Sequence, residues 1–232
     1  MEITLLKLLM AHLLGDFFFQ PNSWVEEKEK KKLKSWKLYA HVLIHVALVF
    51  LIFLSFGVWK MALTIGVTHF LIDGIKLVYQ RDKTRRLWFF LDQILHVLVI
   101  LVCWFSYSRP DFSILFIYEQ KIWLLVVGAL MLTSPTAIII KMIIAKWLPV
   151  GDVKKTSSLQ EAGRYIGMLE RLLIFLFVCT HHFEAVGFLL AAKSIFRFGD
   201  LKDAHDIKLT EYVLIGTLLS FGIALLVSLA VV

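Results

Sequence analysis

Four pairs of metal-ligand side chains stand four positions apart within apolar sequence: His12/Asp16, His41/His45, His69/Asp73 and Asp92/His96. Residues at i and i+4 share one face of an α-helix, so each pair is a two-point clamp if its segment is helical. Neutral imidazole combined with carboxylate suits zinc, manganese or iron, whereas a layer of histidines is poor for calcium or magnesium. Eight donors exceed the need of one tetrahedral ion. They suffice for two ions, or for one ion plus partners that orient its imidazoles. A divalent ion with an open position lowers the pKa of bound water toward about 7 and so supplies hydroxide near neutral pH. The competing reading is a structural network of His–Asp hydrogen bonds between helices. Ionisable groups are costly in a membrane and rarely kept there without a task, which favours the metal.

The elements that position these residues must be membrane helices. Of the 232 residues, 59% are hydrophobic, and the mean hydropathy of +0.78 is far above that of a soluble domain. The apolar stretches are continuous rather than alternating, which excludes a β-barrel. They fall at 3–20, 38–56, 58–79, 87–106, 121–147, 166–180, 184–198 and 209–231. This pattern predicts an all-α, polytopic helical membrane protein with about 7–8 transmembrane segments and the metal-type cluster in the first four. Segments 166–180 and 184–198 are short, and form either two tilted spans or one re-entrant hairpin. A single membrane domain is expected over 1–232, with a four-helix His/Asp bundle in 1–106 and the helices of 107–232 packed against it. Breaks are marked by Pro21-Asn22-Ser23, Arg109-Pro110-Asp111, Pro149-Val150-Gly151-Asp152 and Gly199-Asp200. Cys103 and Cys179 lie in apolar runs without a Cys neighbour, so neither a disulfide framework nor a thiolate zinc site is expected.

Basic residues cluster after segments one, three and five and before the last. The positive-inside rule makes these loops cytoplasmic and places both termini outside. The net charge of +7 then reflects orientation and contact with anionic lipid heads, and no nucleic-acid platform or motif accompanies it. Four helices of alternating direction would bring the pairs to one depth. Asp16, His41, Asp73 and Asp92 would form a layer near the cytoplasmic boundary, with His12, His45, His69 and His96 one turn deeper.

A smaller polar set is expected near the same leaflet: Arg164, Glu170 and Arg171, Lys193 and Arg197, and Glu211, joined by Gln20, Lys76 and Gln93. Arginine and lysine beside a metal can hold the oxygens of a phosphate head group, and at helix ends they also snorkel to the interface. Snorkelling suffices for Arg164 and Arg197, and a helix-end position for Glu211. For Glu170, Arg171 and Lys193 both readings stand. Catalysis is expected from Asp92 and Lys76, with Glu170 as the alternative acid/base. Gln20, Lys76, Gln93, Arg171 and Lys193 are the expected substrate contacts. The run from Glu26 to Lys37 reads as a solvated loop or a short helix against anionic lipid, anchored by Trp24 and Trp36. His181, His182 and Glu184 read as a solvated turn. No Walker A loop, dinucleotide fingerprint, GxSxG elbow or HExxH helix is present.

The stretches AHLLGDFFFQ, HVLIH, HFLIDGIK and LDQILH are similar to the pattern of a bacterial integral-membrane family carrying a domain-of-unknown-function label. GRYIGMLERLLI and GFLLAAKSIFRF extend that resemblance over nearly the whole chain. It implies a multi-pass protein of the bacterial inner membrane. More loosely, by residue types in the front half, the chain resembles membrane-bound metal-dependent hydrolases. The resulting expectation is a membrane-embedded hydrolase of a lipid-linked ester or phosphoester at the cytoplasmic leaflet. It would use one or two transition-metal ions, zinc favoured over manganese or iron. The alternatives are a metal-ion or proton transporter, or a non-catalytic scaffold or sensor with a structural metal or polar network. Membrane lipid is the expected partner, and homo-oligomerisation stays open.

Overall fold

The computed structural model describes residues 3–107, 117–147, 157–195 and 204–232. Every regular element among them is helical. The expected breaks at 109–111, 149–152 and 199–200, and Arg197, lie outside the described residues. The chain divides into two compact units, Met1–Val127 and Gly128–Val232.

The first unit holds α1 (Ile3–Phe17), α2 (Asn22–Lys31), α3 (Trp36–Phe53), α4 (Trp59–Tyr79) and α5 (Arg85–Tyr107). Helix α1 packs on α3, α3 on α4, α4 on α5, and α5 back on α1, closing a ring of four. After α1 the chain turns by 77° into α2. Pro21 stands immediately before α2, where a residue without an N–H and with a fixed φ suits a helix start. Helix α3 stops at Leu54, whose left-handed backbone (φ 49°) directs its N–H to the Phe50 carbonyl at 2.9 Å.

Helix α4 shows how these helices are oriented. Leu63, Val67, Leu71 and Ile75 form an exposed apolar stripe with period four, while His69, Asp73, Ala62, Ile65 and Gly66 face inward. An apolar exterior around a polar interior is the arrangement a hydrocarbon solvent demands. Among the described residues, four helical segments are long and apolar enough to cross a membrane: Trp36–Phe53, Phe56–Tyr79, Asp82–Tyr107 and Glu211–Val231. Counting each bent pair as one span raises the number to six, below the seven or eight expected from hydropathy. Helix α9 is described over Phe183–Ile195.

Helix α6 (Ile117–Met131) crosses the border between the units, and the second unit continues with α7 (Ser134–Ile144), α8 (Ser157–Cys179), α9 and α10 (Ala204–Val231). Segment 121–147, expected as one, is broken between α6 and α7 with a bend of 41°. Pro135 causes the break: it cannot donate to the Met131 carbonyl four residues back. The Thr136 hydroxyl donates to that carbonyl instead, at 2.7 Å. Arg171 of α8 covers two more exposed carbonyls, with Nε donating to Leu132 O (2.6 Å) and a terminal nitrogen to Thr133 O (3.1 Å). Its other terminal nitrogen donates to Ser220 Oγ at 3.1 Å. All three nitrogens of a buried guanidinium therefore have partners.

Candidate metal centre in the first unit

All eight residues of the four spaced pairs meet inside the α1–α3–α4–α5 ring. The Nε2 atoms of His41, His45 and His69 lie 3.3, 3.0 and 3.5 Å from one oxygen, Asp16 Oδ1. The His45 Nε2–H donates to it. The Nε2 atoms of His41 and His69 face each other at 3.1 Å, so one must donate and the other accept. His12 Nε2–H donates to Gln93 Oε1 at 3.3 Å, and Gln93 Nε2 donates to Asp16 Oδ2 at 2.8 Å and to Asp92 Oδ2 at 3.2 Å. His69 and His96 stack at 3.9 Å between centroids. Apart from Asp16, whose side chain is 9% exposed, and Gln93, the members of this cluster are buried.

The donors fall into three overlapping groups, in each of which one ligand atom per residue lies within 4.8 Å of the others. These are His12, Asp16, His45 and His69; His41, His69 and Asp73; and Asp16, Asp92 and His96. Asp16 and His69 are each shared between two groups, and the first group is the largest. Beside it, several buried polar atoms have no hydrogen-bond partner among the described residues: both ring nitrogens of His96, His41 Nδ1 and Asp92 Oδ1. A finished structural network leaves few such atoms, because each costs its desolvation without return.

Three layers follow from the helix directions. On one side of the imidazoles lie Asp73, with Lys28 Nζ donating to it at 2.8 Å, and Asp92, with Lys76 Nζ at 3.0 Å. On the other side, Leu8, Val49, Ile65 and Ile100 lie one turn beyond His12, His45, His69 and His96, and belong to an apolar core with Leu5, Ala62 and Cys103. A cavity of about 10 Å³ lies where the histidine rings meet this core, lined by His12, His45, His69, His96, Thr68 and apolar side chains. That is at the lower limit for a single atom-sized occupant.

Sequence reasoning missed two residues that shape this site. Lys28 belongs to the charge run read as a solvated segment, yet it is 5% exposed and bonds Asp73. Nothing in that lysine-rich run distinguishes it from Lys30 or Lys31. Gly15 is the other. A Cβ built there would meet the His45 ring at 2.3 Å, so only glycine lets α1 approach that imidazole. Its signal was available: a lone glycine inside a span, next to a ligand, marks close approach.

The remaining expected residues fall elsewhere. Gln20 is half-buried in the turn after α1 and forms no hydrogen bond with the cluster among the described residues. Lys76 and Gln93 are at the cluster but engage its carboxylates. Glu170, Arg171 and Lys193 belong to the second unit, where Lys193 pairs with Glu170 and Arg171 caps the α6/α7 break. Arg164 donates to Ser134 Oγ at 2.8 Å, and Glu211 is exposed. His181, His182 and Glu184 are exposed, with His182 Nδ1 donating to Glu184 at 3.2 Å. Glu184 lies outside the spans; its own backbone N–H and His182 hold its carboxyl below the usual range.

Residues 4–126, which supply every member of the cluster, match the family described as Protein of unknown function (DUF3307). The chain belongs to that family. The match ends within α6, so GRYIGMLERLLI and GFLLAAKSIFRF lie beyond it. No curated protein and no solved structure matches the chain.

Proposed function

We propose that the protein is a membrane-embedded metalloenzyme, a hydrolase of an ester or phosphoester carried on a lipid. One observation carries the metal assignment: a four-donor group, His12, Asp16, His45 and His69, stands beside a buried His96 with neither ring nitrogen hydrogen-bonded, Nδ1 lying 3.8 Å from Asp92 Oδ2. Imidazole with a carboxylate is the donor set of zinc sites, so His12, Asp16, His45 and His69 would hold the ion. When bound, the ion would supply a hydroxide from water near neutral pH. Asp92 and His96, with unpartnered atoms next to that group, are placed to accept and return a proton. Lys76 neutralises Asp92 and stands ready for a developing negative charge.

The one-sidedness of the polar atoms favours catalysis over transport. A conduction path needs polar groups on both sides of the ion, and here Leu8, Val49, Ile65 and Ile100 close one side. Apolar outer faces and an inward polar layer suit a substrate that arrives from lipid. The bacterial inner membrane and its cytoplasmic leaflet are the proposed location, from the distribution of basic residues.

Elemental analysis of mildly purified protein, followed by incubation with a lipid extract and mass spectrometry of released head groups, tests the proposal. Stoichiometric zinc, manganese or iron and chelator-sensitive release of head groups are expected. Protein free of such metal would sink the assignment, and metal-dependent flux in proteoliposomes without cleavage would replace hydrolysis by transport.

A further inference from the structure

We infer that Lys28 is a tethered cation that restricts this site to one metal ion. The inference rests on the metal reading above and concerns how many ions the cluster takes. Among the described residues, Asp16, the carboxylate of the largest donor group, pairs with no lysine, whereas each of the other two groups has a lysine on one carboxylate. Asp73, the carboxylate of the His41/His69 group, accepts from Lys28 Nζ at 2.8 Å, and Asp92, in the Asp16/His96 group, pairs with Lys76 Nζ at 3.0 Å. An ammonium is a compact point charge with three donors. At that distance it makes a charge-assisted bond with the oxygen a metal would use. A divalent ion entering beside Asp73 would have to displace it.

Lys28 comes from outside the ring of helices, on a helix whose sequence, NSWVEEKEKK, is otherwise that of a surface segment. It is the buried residue of α2, whereas Lys30 and Lys31 are exposed. The helix is fixed from both sides: Glu29 accepts from Gln80 at 3.0 Å and pairs with Arg85 at 3.1 Å, and Glu27 pairs with Lys37 at 2.7 Å. Polar anchors on α3 and α5 and at the end of α4 thus hold a lysine against the second group.

Charge supports the same count. Asp16, Asp73 and Asp92 with Lys28 and Lys76 leave one net negative charge. One divalent ion carrying a hydroxide cancels it, whereas a second ion would leave a buried excess of positive charge. Buried net charge is strongly disfavoured.

The test is zinc stoichiometry on the purified full chain, by equilibrium dialysis and elemental analysis, with manganese substituted for electron paramagnetic resonance. The wild type and Lys28→Arg are expected to hold one ion per chain with an uncoupled manganese spectrum. Lys28→Met should hold two with a spin-coupled spectrum, and Lys28→Met with Asp73→Asn should return to one. If Lys28→Met does not assemble, Lys28→Gln, which keeps a donor for Asp73, carries the same expectation. One ion in Lys28→Met or Lys28→Gln, or two in the wild type or Lys28→Arg, would overturn the inference while leaving the metal reading intact. No ion in the wild type would overturn the metal reading itself.

Discussion

The two units each bury polar side chains among apolar helices, and they finish the task differently. In the second, Arg171 places its three nitrogens on Leu132 O, Thr133 O and Ser220 Oγ, and Thr136 takes the carbonyl that Pro135 leaves behind. In the first, eight ligand-type side chains converge, yet both His96 nitrogens, His41 Nδ1 and Asp92 Oδ1 make no hydrogen bond among the described residues. A satisfied network is explained by the backbone it repairs. An unsatisfied one is incomplete as a structure, and that incompleteness is what makes it a candidate site.

The contrast breaks first at His96. His96→Leu nearly keeps the volume and removes two buried nitrogens that make no hydrogen bond, so stability should change by no more than about 1 kcal/mol. Zinc should be retained while head-group release falls about 100-fold or more. A large drop in the detergent melting temperature would instead make His96 structural. Arg171→Met should show the opposite pattern. It strips a charged donor from three acceptors and should cost at least about 3 kcal/mol in thermal or denaturant unfolding, with zinc content per folded chain unchanged. Loss of zinc from that variant would erase the distinction between the units.

Asp16→Asn sharpens the claim within the first unit. Asp16 is common to two donor groups and faces three imidazoles, so zinc affinity should drop by about 100-fold or more, read by competition with a chelator. Gly15→Ala should lower zinc affinity by about 10-fold and cost about 1–3 kcal/mol from overpacking against the His45 ring. The smallest effect is expected at Thr136→Val. Losing one hydroxyl–carbonyl bond should cost about 1 kcal/mol and leave zinc binding alone.

The cluster was legible in the sequence because helical periodicity and membrane energetics point the same way. Ligand types four apart inside apolar segments must share a face, and lipid rejects that face, so it turns inward. The break at Leu132-Thr133 was hidden because hydropathy continues through it; the bend is set by one missing N–H at Pro135. Helix α8 begins at Ser157, well before the apolar stretch expected from 166, because helix formation follows backbone bonding rather than transfer energy. Lys28 was invisible because its neighbours have its chemistry and only the three-dimensional fold selects one lysine from the run.

The closure of α5 onto α1 has a consequence for biogenesis. As the chain is threaded into a bilayer, His12 and Asp16 arrive first and Asp92 and His96 last, with about 80 residues synthesised between them. Until α5 docks, the early histidines and aspartates face hydrocarbon or one another without their final companions. On the proposed metal reading, an ion captured by α1, α3 and α4 during insertion would hold the half-built ring together, and cofactor supply and membrane assembly would become a single step.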